Sequence, residues 1–246
     1  MIARRLSRGL SLAVLISWSV IALADGSSGS GAVSITNTDP IVQNFDTLAN
    51  TGNSNALPAG WYLTELGGGT AANGFYTAGT GSSTTGDTYS FGPAGSTERA
   101  LGSLGSGSIT SIFYGAKFVN NSTGPITSLS ISFAGEMWRR GTSAADGLTF
   151  SYSTSATAVN AADFTDFPAL NFPSLTTSCS SSTATATDGN SAACRSAISA
   201  VITGLSINPG GFIWIRWKDV DSAGSDDSCF HARRIPGPVL TTARDR

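Results

Sequence analysis

Ile112-Phe113-Tyr114-Gly115-Ala116-Lys117-Phe118, then Leu129-Ser130-Ile131-Ser132-Phe133, then Leu148-Thr149-Phe150-Ser151-Tyr152-Ser153 are three successive stretches with a repeat of two residues. Successive side chains on a strand point to opposite faces, so such alternation describes ribbons with one face buried. In the first stretch Ile112, Tyr114, Ala116 and Phe118 share a face, with Lys117 opposite. Turn-forming residues at 120–125 and 141–147 separate the three, and the short connections predict antiparallel neighbours. Downstream, Phe212–Val220 carries Ile213, Ile215 and Trp217 on one face and Phe212, Trp214, Arg216 and Lys218 on the other. Aromatic residues on both faces describe either a central strand covered on each side or a strand with a binding face.

The rest of the 246 residues agrees with an all-β chain. Charged residues are only 12% of the total, and the chain has two Lys, three Glu and 29 Gly. Strong helix formers with charged ends are too scarce for long helices or coiled coils. A hydrophobic fraction of 40% supplies a core, and the length suits one antiparallel β-sandwich.

The N-terminal region looks like an export signal. Arg4, Arg5 and Arg8 precede an uncharged run, 10–24, that closes on Ala22-Leu23-Ala24, the small-x-small pattern of a signal-peptidase site. Cleavage is expected before Asp25. The run is shorter than the ~20 residues a spanning helix needs. Removing 1–24 takes three of the 14 basic residues and no acid, which leaves 11 against 16 and a net charge of −5. That balance gives no nucleic-acid footprint. No later segment is apolar over ~18 residues, so no membrane span is expected after cleavage.

The expected organisation is a signal peptide at 1–24, a Gly/Ser-rich flexible leader at 25–40, a sandwich at 41–227 and an atypical tail at 228–246. Within the sandwich, 41–46 and Trp61–Leu66 read as strands, 67–107 as loops and edge strands, and 155–196 as a long surface excursion. Residues 197–205 fit a strand or a short helix. In an oxidising compartment Cys179 and Cys194, 15 positions apart, are expected to staple the excursion. Cys229 is then the odd cysteine, to be read as a buried side chain, a free thiol or an intermolecular bridge.

Several segments taken in order carry a resemblance. They are Gln43-Asn44-Phe45-Asp46; Leu57-Pro58-Ala59-Gly60-Trp61-Tyr62; Ser90-Phe91-Gly92 with Glu98-Arg99-Ala100-Leu101-Gly102-Ser103; Gly135-Glu136-Met137-Trp138-Arg139; and Trp214-Ile215-Arg216-Trp217 leading into Asp219-Val220-Asp221. Over roughly 41–227 the chain resembles an exported bacterial jelly-roll-like module found in PEP-CTERM-sorted surface proteins and beside extracellular nuclease or phosphatase domains. The resemblance implies a sandwich without an established catalytic role. The chain departs from it at the end, where similar modules carry a final apolar strand with a G-L-A-I-D-D-F-like run. Here the last 18 positions hold four of the 14 basic residues, the single His and Cys229. A change of reading frame and an ordinary divergent tail both account for that jump. A shifted frame predicts a missing closing strand and an exposed sheet edge.

Little of the sequence offers catalysis. His231 is the only imidazole, no G-x-S-x-G turn is present, and multi-His metal sites are excluded by count. A carboxyl pair from Glu98 with Glu136 or Asp146 lacks the E-x-D-x-x-E motif of sandwich glycosidases, and Glu136 beside Trp138 and Arg139 reads equally as a structural contact. Asp219, Asp221, Asp226 and Asp227 form an acidic run with ligands for Ca²⁺, and the same run reads as a solvated turn. Trp61, Tyr62, Trp138 and Trp214 are the candidate platforms for a polysaccharide or another envelope component, weighed against a place in the core. The resulting expectation is a secreted, non-catalytic binding or structural module. The alternative is an accessory or remnant domain of an extracellular nuclease- or phosphatase-type hydrolase.

Overall fold

The structure, a computed structural model, describes residues 26–68, 72–140, 147–175, 177–179, 185–220 and 229–233. Its strands form two sheets. The first contains β1 (Gly26–Gly29), β2 (Val33–Ile35), β4 (Trp61–Gly67), β8 (Ile109–Asn120), β10 (Gly147–Ser153), β11 (Thr165–Asp166), β12 (Phe172–Pro173) and β15 (Phe212–Val220). The second contains β3 (Asn53–Ser54), β5 (Tyr76–Gly79), β6 (Asp87–Phe91), β7 (Ala100–Leu104), β9 (Ile126–Arg140), β13 (Thr185–Ala186), β14 (Arg195–Ile207) and β16 (Cys229–Arg233). The first sheet runs β1-β4-β8-β15-β10-β11, and the second β13-β9-β16-β7-β6-β5-β3. All pairings are antiparallel except β2 with β8 and β5 with β6. The all-β sandwich expected from the alternation is present.

Between the sheets lies the main core. Trp217 at its centre is stacked 6.4 Å from Trp61 and 6.3 Å from Tyr114, and meets the edges of Phe133 at 5.1 Å and Phe150 at 5.2 Å. Phe133 comes from the opposite sheet, so this cluster joins the layers. Each such ring removed from water contributes on the order of 2–3 kcal/mol.

Four expectations need correction. The three alternating stretches are not neighbours in one sheet, because β8 and β10 belong to the first sheet and β9 to the second. The connection after β8 crosses between layers, held by buried Asn120. Its Nδ2 donates to the Gly124 and Ile207 carbonyls at 2.9 and 2.7 Å, and its Oδ1 accepts from the Ser122 amide at 3.0 Å. A short turn is compatible with either outcome, and these bonds select the corner. Residues 41–46 are irregular in place of a strand, with a single bridge residue at Gln43 and a turn that begins at Asp46. Asn44 Oδ1 accepts the Asp46 amide, and Phe45 adopts φ 60°, which drives its ring to 4.7 Å from Trp61. Within 25–40, β1 and β2 are strands added to β4 and β8, where a flexible leader was expected. Small side chains permit the close approach: a Cβ on Gly29 would lie 2.2 Å from the Trp61 carbonyl oxygen. Finally, 67–107 contributes β6 and β7 to the interior of the second sheet. These strands bury the polar side chains of Thr88, Ser90 and Ser103, with Glu65 and Arg99 buried beside them. Arg99 donates to Ser90 Oγ at 2.9 Å, to the Gly79 carbonyl at 3.1 Å and to the Ser90 carbonyl.

The tail supplies a strand. β16 pairs with β7 through Phe230↔Ser103 to Ala232↔Leu101 and with β9 through Phe230↔Met137 to Arg233↔Ala134. Residues 197–205 lie within β14, and the bridge Cys179–Cys194 is present.

Candidate functional site

The outward face of the first sheet is built by the register of its strands. Tyr62 on β4 lies opposite Gly115 on β8, which lies opposite Arg216 on β15, then Ser151 on β10 and Asp166 on β11. This row crosses five strands, roughly 19 Å at the usual inter-strand spacing. A parallel row runs through Ser27, Thr64, Phe113, Lys218 and Thr149. Lys117 and Trp214 stand opposite one another on the other side of the Tyr62 row.

Across this face passes the loop 154–164, and Arg216 holds it there. Arg216 Nη1 donates to the Val159 and Ala161 carbonyls at 2.9 and 2.8 Å, and Nε donates to Ser151 Oγ at 2.9 Å. The guanidinium lies 3.7 Å from the centre of the Phe164 ring and 5.0 Å from that of Phe113. Burial pulls its pKa down to about 10, partly opposed by Asp166 and Asp163, so the side chain stays charged at neutral pH.

Two grooves flank the loop. One, of ≈ 280 Å³, is lined by β1 and β4 residues, including Ser27, Ser28, Tyr62 and Thr64, and by 157–160 of the loop. The second, of ≈ 340 Å³, is lined by Thr149, Ser151, Asp166, Asn171, Arg216 and Lys218, with Phe150 and Pro168.

The four aromatic candidates separate here. Trp61 (2% exposed) is in the main core. Trp138 (3% exposed) packs with Tyr89, Phe91 and Leu104 on the outer face of the second sheet, and its Nε1 donates to Glu136 Oε2 at 3.1 Å. Trp214 (2% exposed) is covered by Ala156 and Val159 of the loop. The three tryptophans are therefore packing residues, because each sits where a second layer of chain covers the sheet. Tyr62 remains half-buried at the first groove. Its ring stands 4.7 Å from Trp214, its hydroxyl donates to the Gly31 carbonyl at 2.6 Å, and burial raises its pKa. Of the strand pattern's two readings, cover on each side holds at Trp214, while Arg216 and Lys218 line a groove.

The acidic residues fall elsewhere. Asp219 points into the sandwich with Ile213, Ile215 and Trp217, and accepts Ser103 Oγ at 2.6 Å. Asp221, Asp226 and Asp227 lie outside the described residues, as does Asp146. Among the described residues no group of three or more His, Cys, Asp or Glu is placed to hold a metal ion. Glu136 is fully buried, while Glu98 Oε2 accepts Asn190 Nδ2 at 2.6 Å.

A carboxyl pair that sequence reasoning missed sits between the sheets. Glu65 Oε1 accepts the Thr88 amide at 2.9 Å and Thr88 Oγ1 at 2.7 Å, and its Oε2 accepts the Asn73 and Gly74 amides, both at 3.0 Å. Beside it Asp87 accepts Thr77 Oγ1 at 2.6 Å. Burial, aided by the Glu65 charge, pushes Asp87 up to about 7, against the pull of Thr77 and the Thr88 amide. The folded chain therefore keeps a proton that the unfolded chain has released, and stability falls as pH rises from about 4 through 7. After discounting for partial exposure, Asp87→Asn should remove about 1–2 kcal/mol of the stability difference between pH 5 and pH 8. Urea unfolding of both proteins at the two pH values measures it, and equal differences would contradict the assignment.

No family model matches the chain, and no curated protein matches it. Among solved structures it is similar to the CBM22-1 xylan-binding domain from Paenibacillus barcinonensis Xyn10C, with 10% identity and a TM-score of 0.38 over 85% of this chain and 99% of that one. It is also similar to an isomalto-dextranase from Arthrobacter globiformis T6, complexed with panose, with 12% identity and a TM-score of 0.36 over 86% of this chain. There the match spans 36% of the other chain.

Proposed function

We propose that the chain is an exported, non-catalytic module that binds carbohydrate on the outward face of its first sheet. The observation that carries this reading is the groove walled by Tyr62. An aromatic ring partly open to solvent stands beside the hydroxyl-bearing Ser27, Ser28 and Thr64 and the amide-bearing Asn160. An apolar ring face with polar hydrogen-bonding groups around it matches a sugar ring, which offers C–H groups on its face and hydroxyls around its rim. The Trp214 edge contact and the Gly31 hydrogen bond fix Tyr62 in place, which limits the ordering cost of binding. The Cys179–Cys194 bridge supports residence in an oxidising compartment.

Isothermal titration against a panel of soluble polysaccharides tests the reading. At least one member should give heat, and Tyr62→Ala should weaken that binding by at least about tenfold, the scale of losing an aromatic anchor. The Tyr62→Phe protein should retain the stacking, which separates ring loss from loss of the Gly31 bond. No heat from any member would overturn the proposal.

A further inference from the structure

We infer that the ligand is an anionic polysaccharide whose carboxylates are received by the groove of Arg216 and Lys218. This rests on the carbohydrate reading above and specifies the class of sugar.

Charge is distributed unevenly over the molecule. The whole chain carries a net charge of −2 and has only two lysines, Lys117 and Lys218. Both lie on the outward face of the first sheet, with Arg216 on the same face. The outward positions of the four central strands are Tyr62, Thr64 and Leu66 on β4; Ser111, Phe113, Gly115, Lys117 and Val119 on β8; Phe212, Trp214, Arg216 and Lys218 on β15; and Thr149, Ser151 and Ser153 on β10. These include three cations and no acid. The acids nearest Arg216, Asp163 and Asp166, belong to the covering loop and to the edge strand β11.

The ≈ 340 Å³ groove is rich in donors. Arg216 spends Nε and Nη1 on Ser151 and on the loop carbonyls, whereas Nη2 has no hydrogen-bond partner among the described residues. Lys218 follows two residues later on the same face, with its Nζ 5.5 Å from the centre of the Phe113 ring. Asn171 uses Oδ1 to accept the Phe150 amide, which leaves its Nδ2 hydrogens at the groove. Asp166 is the single acid on the wall. Arg216 and Ser151 are both more than nine-tenths buried and bonded to one another, so the guanidinium is preorganised. A donor set of two cations and an amide is satisfied by a carboxylate better than by neutral hydroxyls, because charge-assisted hydrogen bonds are the stronger kind.

The test uses the purified chain, its Lys218→Gln variant and four probes: polygalacturonate, methyl-esterified polygalacturonate, dextran sulfate and a neutral β-glucan. Polygalacturonate should bind at least about tenfold more tightly than its ester, and Lys218→Gln should lower that affinity about tenfold without lowering the melting temperature. Binding should weaken as salt rises from about 50 to about 500 mM. Equal binding of the neutral glucan or the ester, or full affinity in Lys218→Gln, overturns the anionic assignment and leaves the Tyr62 reading standing. Dextran sulfate that matches polygalacturonate and shows the same Lys218 dependence overturns the choice of carboxylate. Silence from all four probes and from the neutral panel removes both proposals.

Discussion

Replacing Ala232 with proline is expected to lower the melting temperature by roughly 6–12 °C. The expectation follows from backbone geometry alone. Ala232 stands opposite Leu101 of β7 on one side and Gly135 of β9 on the other. Proline removes an N–H from a strand paired along both edges and forces its ring toward a neighbouring chain, at a cost of about 3 kcal/mol or more. The position magnifies that cost. Among the described residues β16 alone joins the β9–β14 half of the second sheet to the half formed by β7, β6, β5 and β3. Ser103, which supplies the hydrogen bond to buried Asp219 of the first sheet, also lies on β7 opposite Phe230. Opening the join therefore disturbs both layers. Calorimetry of the soluble variant measures the effect, and a melting temperature within about 2 °C of the parent would refute the placement of β16. Should the variant fail to accumulate, hydrogen exchange on the unaltered chain decides the matter: amides of 229–233 should be protected as long as those of β7, and exchange within minutes would refute the strand.

That strand marks a boundary of what the sequence discloses. Cys229–Arg233 carries a composition unlike the rest of the chain, and neither account of that jump, a changed reading frame or a divergent tail, assigned a strand there. Its place is set by partners 90 or more residues away, and a local pattern contains no record of them. The strands of the first sheet were legible for the opposite reason. In β8 and β15 every second side chain enters one core, and the period survives any change of neighbour. Which sheet each strand joins was not legible, because the corner at Asn120 depends on a hydrogen bond to Ile207, 87 residues on. The same limit governs the site. The pattern of β15 separated Trp217 from Trp214, Arg216 and Lys218, but whether a ring is open or covered depends on the loop 154–164 and its attachment to Arg216. Residue type alone favoured the tryptophans as ligands. The fold uses Trp61, Trp138 and Trp214 for packing and leaves Tyr62 and the cations beside the grooves.

Removing the Cys179–Cys194 bridge is expected to produce the second large effect. The bridge spans 15 residues of chain, and both cysteines are buried in the main core, where Cys194 also accepts the Met137 amide through its carbonyl at 2.7 Å. It ties the excursion after β12 to the start of β14, beside the long ladder that β14 makes with β9 from Arg195↔Glu136 to Ile207↔Ile126. Without it the unfolded chain regains the freedom of an open loop, worth about 3 kcal/mol for a closure of this length. In a chain of this size that corresponds to a fall of roughly 6–12 °C in melting temperature. Cys179→Ala with Cys194→Ala is the appropriate pair, since alanine leaves no buried hydroxyl to satisfy. The unaltered protein should lose a similar amount on adding a reductant, and the double variant should not respond to it. The two readings check one another. A reductant-insensitive parent, or a double variant that melts within about 2 °C of it, would show that the covalent link contributes little and that packing of the excursion against the core holds it in place. A matching loss in both would locate the stabilisation in the bridge.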